Sequence, residues 1–515
     1  MTHGVLPIQR ALISVSDKTK LVEFSAVLHQ LGIQILSTGG SASLLKEAGI
    51  PVTLVSEITQ FPELMEGRVK TLHPKIHGGI LGKRDLHEKE AKTQNIDWID
   101  LVVVNLYPLQ ETLERGADFD SIIENIDIGG TALLRAAAKN YPWVGAVSDP
   151  KDYDGILKEL RSGGVSLATR KRLALKVFSK TAFYDALIAQ YLRAETSLLE
   201  QEEWAFPLKR LEKLRYGENP HQSAALFKTH FGFGLAEASR LQGKALSYNN
   251  LVDAEAALQC IKAFQIPAAV IVKHANPCGV AIGSQIEEVY QKAFEADSQS
   301  AFGGILALNR PCSTRIAEHV SSIFMEVILA PSFDAEALNL FAKKPNLRIL
   351  SLNENEQVLE TFNTPWAFRA ISGGLLIQNS DQLVLHPEDL ECVTLKCPSS
   401  AELEELLFAW TLVKHLKSNA IAISRSGVSL SLSAGHVSRI AAVHFALQRV
   451  KGHLEGAVLA SDAFFPFRDS IDALKGTGIK AVIQPGGSIR DAEVIAACNE
   501  LGIAMMVTKN RCFYH

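Results

Sequence analysis

Ala11-Leu12-Ile13-Ser14-Val15-Ser16-Asp17-Lys18, continued by Gly32-Ile33-Gln34-Ile35-Leu36-Ser37-Thr38-Gly39-Gly40-Ser41, is the stretch whose reading settles the fold class. Two short apolar runs rich in β-branched residues, each stopped by Ser, Thr, Asp or Gly, flank a segment whose apolar residues recur at helical spacing. The pattern predicts a strand at 11–15, a helix at 18–31, a strand at 33–36, a short helix at 41–48 and a strand at 52–55. Strands alternating with helices in this way define an α/β fold with a largely parallel sheet.

The same grammar extends outward. Leu101-Val102-Val103-Val104-Asn105 reads as a fourth strand, a helix begins near Gly130 and runs to Lys139, a strand follows at 143–147, and helices continue to about residue 193. Residues 195–204 turn polar and acidic, with Pro207 soon after, so the chain divides into units spanning 1–198 and 199–515. The second unit alternates strands and helices again. Its last sixty residues repeat the opening punctuation, with Ser461-Asp462, Gly478-Ile479 and Pro485-Gly486-Gly487-Ser488 standing as Ser16-Asp17, Gly32-Ile33 and Thr38-Gly39-Gly40-Ser41 do. We read this as shared βαβ punctuation rather than duplication.

Composition narrows the function. Fifty-two basic against 56 acidic residues give a net charge of -4, which lacks the basic field that drives non-specific nucleic-acid binding. Any anionic ligand must be held locally. The N-terminus lacks a secretion signal and no apolar run is long enough to span a bilayer. All seven cysteines lie in the second half, without a CxxC pair, which argues against a disulfide framework and for a reducing cytoplasm.

Several segments carry more chemistry than a core needs. Thr38-Gly39-Gly40-Ser41 joins a strand to a helix, which suits either a phosphate cradle or a plain turn with a serine cap. Residues 67–79, with Arg68, Lys70, Thr71, His73, Lys75 and His77, read as an anion-binding loop; His73 and His77 have neither an HExxH context nor a nearby cysteine, which argues against a metal site. Asp127 precedes the helix carrying Arg135 and Lys139 and serves either as its cap or as a general base. Asn105-Leu106-Tyr107-Pro108 sets a phenol at a strand end.

In the second unit, Val272-Lys273-His274-Ala275-Asn276-Pro277-Cys278-Gly279 sets a cation beside an imidazole where a strand ends and Asn276-Pro277 and Gly279 stop regular structure. Such a pair can move a proton, with Lys273 disfavouring imidazolium, or it is a surface dipeptide with no task. The zinc deaminase pattern H-x-E…P-C-x-x-C is absent, because Asn276 replaces the acid and Ala281 the second cysteine. Residues 214–222 are turn-rich and polar, suited to phosphate and ribose contacts. Phe464, Phe465 and Phe467 form either a core wedge or a stacking slot for a flat heterocycle.

Taken in order, residues 14–18, 67–74, 105–108, 127–131, 214–222, 272–279, 300–304 and 461–469 closely resemble the bifunctional purine biosynthesis family that couples AICAR transformylase to IMP cyclohydrolase. The resemblance runs from near residue 10 to the C-terminus. It implies a methylglyoxal-synthase-like, doubly wound first unit and a second unit with cytidine-deaminase-like subdomains lacking zinc. It implies formyl transfer from 10-formyltetrahydrofolate to AICAR in the second unit and ring closure to IMP in the first. By that likeness Lys273, His274 and Asn419 assist formyl transfer, and Arg215, Tyr216, Gly303, Phe464, Phe467, Asp469 and Arg511 hold nucleotide and folate. Asp127 with Lys70, Tyr107 and Lys139 assists ring closure, and Ser16, Lys18, Thr38, Gly39, Gly40, Arg68, Thr71, Asn105 and Gly129 contact phosphate and base. A cytoplasmic homodimer, with no metal, nucleic acid or membrane involved, is also implied.

The chain departs from the family pattern at Ser298, which stands for proline, at His436, which stands for glutamine, and at Ala441, where an acid is common. The surroundings of Arg511 are also altered. These changes bear on folate affinity and packing more than on reaction type.

Overall fold

The computed structural model describes residues 4–193, 201–229, 234–352, 366–450 and 452–515. The chain forms two compact units, Met1–Leu208 and Lys209–His515. The expected boundary at 198 lies outside the described residues. The division falls later because Trp204 stays with the first unit, its ring beneath the Arg193 guanidinium at 5.9 Å and 5.2 Å from that of Phe206.

In the first unit, β1 (Arg10–Val15), β2 (Gln34–Ser37), β3 (Thr53–Leu54), β4 (Leu101–Asn105) and β5 (Gly145–Val147) form one parallel sheet in the order β3-β2-β1-β4-β5. Helices α1 (Leu21–Gln30), α2 (Gly39–Glu47), α3 (Gly129–Lys139) and α4 (Leu167–Leu192) accompany it. The strands are buried on both faces: Leu12, Leu36, Val102 and Val104 meet α3 and α4 residues on one side, and Ala11, Ile13, Ile35 and Val103 pack with α1 on the other. That explains their near-continuous apolar runs. Helix α1 starts three residues later than expected because Asp17 accepts the Thr19 amide at 2.9 Å and Lys20 takes a left-handed backbone, φ 56°. Val55 opens a short helix, Val55–Thr59, instead of completing a strand.

From β1 the chain winds to β2 and β3 on one side, and from β4 to β5 on the other. The order therefore reverses between β1 and β4, and the crevice beyond their C-terminal ends is where an open α/β sheet takes a ligand.

The second unit is built on a sheet of twelve strands. Its elements are β6 (Ser239–Gln242), α5 (Tyr248–Ile261), β7 (Ala268–Lys273), β8 (Asn276–Ile282), α6 (Ile286–Ala296), β9 (Ile305–Leu308), α7 (Thr314–Ser322), β10 (Val327–Ala330), α8 (Ala335–Phe341) and β11 (Arg348–Ser351). They continue with β12 (Glu391–Cys392), α9 (Ser400–Lys414), β13 (Ile421–Arg425), β14 (Val428–Ser433), α10 (Arg439–Arg449), β15 (Val458–Ser461), α11 (Asp469–Asp472), β16 (Ala481–Gln484), α12 (Asp491–Leu501) and β17 (Ala504–Val507). The sheet order is β6-β11-β10-β9-β7-β8-β14-β13-β15-β16-β17-β12.

Read from its centre, that order is a palindrome. Each half has a hairpin (β7–β8, β13–β14), a parallel trio (β9–β11, β15–β17) and one antiparallel edge strand, with helices at matching places. The duplication thus lies inside the second unit. One face of the whole sheet buries Val270, Val272, Ala422 and Ala460 with Leu258 of α5 and Leu412 of α9. The other face carries two separate cores, one around Ile271 and Tyr290 and one around Ile423 and Phe465.

Two expectations fail in this unit. Asn276, Pro277 and Gly279 do not end regular structure: they belong to β8, paired antiparallel with β7. Pro277 is tolerated there because the register slips between Ile271 and Val272, a bulge at which a strand does without one ladder donor. The cysteines are not all free either, since Cys392 and Cys397 form a disulfide with a Cα separation of 5.9 Å. A six-residue loop turning back at an edge strand brings together two thiols that carry no sequence motif. No described helix is long and apolar enough to cross a membrane.

Candidate active sites

At the switch point of the first unit, the end of β4 holds the end of β1. The Asn105 side-chain oxygen accepts the Ser16 amide at 2.6 Å, the Ser16 hydroxyl at 2.8 Å and the Asp17 amide at 2.9 Å, and its Nδ2 donates to the Asp17 carbonyl. Beside it, α2 begins directly at Gly39, whose φ of 48° suits glycine. Two ammonium groups converge on that helix start: a Cβ added at Gly39 would lie 3.4 Å from Lys70 Nζ, and one at Gly40 3.7 Å from Lys18 Nζ. A helix start flanked by two cations suits an anion, although Lys70 also lies 3.6 Å from Glu63 and Lys18 donates to the Val15 carbonyl at 3.1 Å. Thr38 shares a contact with Ser14 at 3.4 Å.

Asp127 sits at the start of α3 and is both cap and candidate base. Its carboxylate accepts the Gly130 amide at 2.7 Å and the Tyr107 amide, while its own amide donates to the Tyr184 hydroxyl at 2.9 Å. Burial raises its pKa above the ordinary aspartate value, against these lowering hydrogen bonds. Thr71 is buried close to Gly129, where an added Cβ would lie 3.5 Å from its hydroxyl oxygen. The Tyr107 phenol is exposed.

Other expected partners lie elsewhere. Lys139 ends α3, so ten residues of helix, roughly 15 Å of rise, separate it from the Gly129 end near Asp127. Arg68 pairs with Glu124. The 67–79 stretch is only partly a loop, because Pro74–Leu81 is a helix capped by His73 Nδ1 and burying Ile76 and Ile80. Burial lowers the pKa of His77.

In the second unit, register gathers the candidate residues along one sheet edge. The β7–β8 turn carries His274 and Ala275, and Val272 faces Ile305, so Gly303 and the start of β9 lie beside it. Ala281 faces Val428, which runs the Asn276 end of β8 towards the Ser433 end of β14. Ser433 faces Ile421, just after Asn419, and Ile421 faces Ser461. The parallel strands β16 and β17 bring Pro485-Gly486 and the 508–511 segment to the same edge.

Lys273 Nζ donates to the Phe302 carbonyl and lies 3.3 Å from where a Gly303 Cβ would be. His274 is exposed, with φ 52°. The Asn419 carboxamide is fixed at both ends, donating to the His436 carbonyl at 2.8 Å and accepting Arg439 Nη2 at 2.8 Å. Arg439 is itself locked by the fully buried Asp462 at 2.5 Å, which also takes the Ala420 amide at 2.9 Å. The three phenylalanines divide: Phe465 is core, whereas Phe464 and Phe467 are exposed, Phe467 beneath the Arg490 guanidinium at 4.8 Å. Both readings hold in part, one ring buried and two exposed, in a stretch that lies beyond the end of β15. Arg215 stacks over the Tyr216 ring at 4.8 Å, Arg511 over that of Phe513 at 4.7 Å, and exposed Asp469 accepts the Ser470 amide. Asp297, followed by Ser298, caps the next turn through the Ser300 amide and pairs with Arg449. His436 packs against Phe445, and the Ala441 amide donates to Ser438.

Asp253, Arg439 and Asp462 escaped sequence reading. Asp253 on α5 accepts the Ala275 amide at 2.7 Å. An acid on a helix carries no signal distinguishing it from a solvated face, and a buried Arg–Asp pair across many residues has none either. Among the described residues, no group of three or more His, Cys, Asp or Glu gathers as a metal site.

These features define a two-unit α/β enzyme whose sheets each present a polar, cation-bearing edge. The model of the AICARFT/IMPCHase bienzyme matches residues 137–449, and that of the MGS-like domain residues 20–132. Curated relatives named bifunctional purine biosynthesis protein PurH include those of Persephonella marina and Listeria welshimeri, each 49% identical, and of a Thermoanaerobacter species, 47% identical. Each match covers 98% of this chain and 100% of the relative. A solved structure titled "Crystal structure of ForH" is 37% identical and covers 37% of this chain and 99% of its own, with a TM-score of 0.34, and carries no weight for the fold. The chain belongs to the AICARFT/IMPCHase bienzyme family: it is a bifunctional enzyme of purine biosynthesis, an AICAR formyltransferase and IMP cyclohydrolase.

Proposed function

We propose that the two reactions are divided between the units, with formyl transfer at the β7–β8 edge of the twelve-stranded sheet and ring closure at the β1–β4 switch point. The observation that carries this reading is the register that lines up Lys273, His274, Gly303 and Asn419 on one edge. In formyl transfer, the AICAR amine attacks the formyl carbon of 10-formyltetrahydrofolate. His274 takes the amine proton, Lys273 supplies charge to the developing oxyanion, and the fixed Asn419 amide orients the carboxamide. Collapse releases the folate nitrogen, which is protonated. Phe464 and Phe467 offer faces to a flat ring.

In ring closure, the formylated product's carboxamide nitrogen attacks its own formyl carbon and water leaves. Asp127, its affinity for protons raised by burial, accepts the amide proton, while the Gly39-Gly40 cradle with Lys18 and Lys70 holds the phosphate. The step is intramolecular, so positioning supplies much of the acceleration. The enzyme works in the cytoplasm as a homodimer on small molecules, with folate as cosubstrate and no metal in the chemistry.

The test separates the units. His274→Ala or Lys273→Leu lowers formyl transfer by about 10²–10⁴ and leaves cyclisation of supplied formyl-AICAR intact, and Asp127→Asn does the reverse. A folded variant of either kind that lost both activities would refute the division.

A further inference from the structure

We propose that Asp253 is a positioning residue for formyl transfer, its carboxylate holding the two-residue β7–β8 turn in the backbone that presents Lys273 and His274. This rests on the reading that those two residues carry the reaction.

Lys273 and Asn276 face each other across the hairpin, so His274 and Ala275 are the whole turn. Both have positive φ, 52° and 59°, a conformation that turns of this kind ordinarily assign to Asn and Gly. Alanine has no side chain able to support it. Something outside the turn must therefore hold it, and two contacts do. The Asn276 side-chain Nδ2 donates to the His274 carbonyl at 2.9 Å, and Asp253 reaches across from α5 to accept the Ala275 backbone amide at 2.7 Å. The His274 amide also lies within hydrogen-bonding reach of that carboxylate.

The palindromic sheet supplies independent support. In the other half, the corresponding β13–β14 turn is Ser426-Gly427, again with positive φ at both residues, 54° and 69°. Glu405 on α9, 22 residues before the amide it binds, as Asp253 is, accepts the Gly427 amide at 2.8 Å. The helix acid bound to the second turn amide is thus a device of this fold. At the catalytic edge it bears a larger load, because alanine replaces the glycine.

The experiment measures kcat and KM for formyl transfer, with cyclisation of supplied formyl-AICAR and thermal unfolding as controls. Asp253→Ala lowers kcat about 10²-fold, the effect of roughly an ångström of misplacement, with KM for AICAR little changed. Adding Ala275→Gly restores about tenfold, because glycine accepts the left-handed backbone freely. Glu405→Ala, which removes the twin contact from a turn without catalytic groups, leaves kcat unchanged. If Asp253→Ala does not fold, Asp253→Asn carries the test, with a smaller loss that Ala275→Gly reverses. Wild-type kcat in folded Asp253→Ala, equal losses in Asp253→Ala and Glu405→Ala, or no recovery on adding Ala275→Gly would each overturn the proposal. His274→Ala is the reference: if it alone left formyl transfer intact, the reading of the 273–274 pair would fall, whatever Asp253 did.

Discussion

Gly130→Ala tests the geometry at the first-unit site without touching a charged group. In the ordinary course an alanine at a helical glycine stabilises the fold by about 0.5–1 kcal/mol. Here the added methyl would lie 2.3 Å from Asp127 Oδ2 and 2.8 Å from its carboxyl carbon. Ordinary contact needs about 3.5 Å, so the carboxylate must retreat by about 1 Å and give up its 2.7 Å bond to the Gly130 amide. A displacement of that size at a reacting group costs about 10²-fold in rate. The lost hydrogen bond to a charged acceptor, about 1.5–3 kcal/mol, offsets the helix gain, so stability changes little or falls slightly. The assay follows IMP formation from supplied formyl-AICAR, with formyl transfer measured separately as a control. Cyclisation at the wild-type rate in a folded Gly130→Ala protein would refute the assignment of Asp127 as a base held by that amide.

Other outcomes follow from the same contacts. Because burial raises the folded-state pKa of Asp127, the native chain holds that proton more tightly than the unfolded chain. Stability therefore falls as pH rises from the ordinary value of 3.8 through the raised one. Asp127→Asn should accordingly unfold at a higher temperature than wild type at neutral pH, and the gain should vanish below about pH 3.8. Asp462→Ala strands the buried Arg439 guanidinium and should cost about 3–5 kcal/mol in denaturant unfolding of the second unit. Lys18→Ala should raise KM for formyl-AICAR with little change in kcat, since a phosphate contact is shared by ground and transition states.

The α/β alternation is legible in the first unit because its central strands are buried on both faces and read as near-continuous apolar runs. Gly39 and Lys70 stand out in the sequence because paired glycines and clustered cations have no role in a core, whereas Lys18 enters through the family resemblance, and the structure brings the three to one helix start. Pro277 misled, since a bulge that spares one donor is invisible in a linear pattern. Lys139 is suggested by its place on the helix that follows Asp127 and by likeness, but that helix carries it ten residues away from the Gly129 end. Asp253 and Glu405 were unreadable because their task is defined by amides distant in sequence.

A half-turn about the centre of the twelve-stranded sheet exchanges the reacting edge with the opposite one, where Arg425-Ser426-Gly427-Val428 occupy the place of Lys273-His274-Ala275-Asn276. There Asn309 accepts the Ala268 amide at 2.8 Å, as Asp462 accepts that of Ala420. The second unit therefore carries, among its described residues, a rotational counterpart of the proposed reaction edge built on the same strand order. Each functional residue can be weighed against the neutral residue that the same backbone already accommodates within the same molecule.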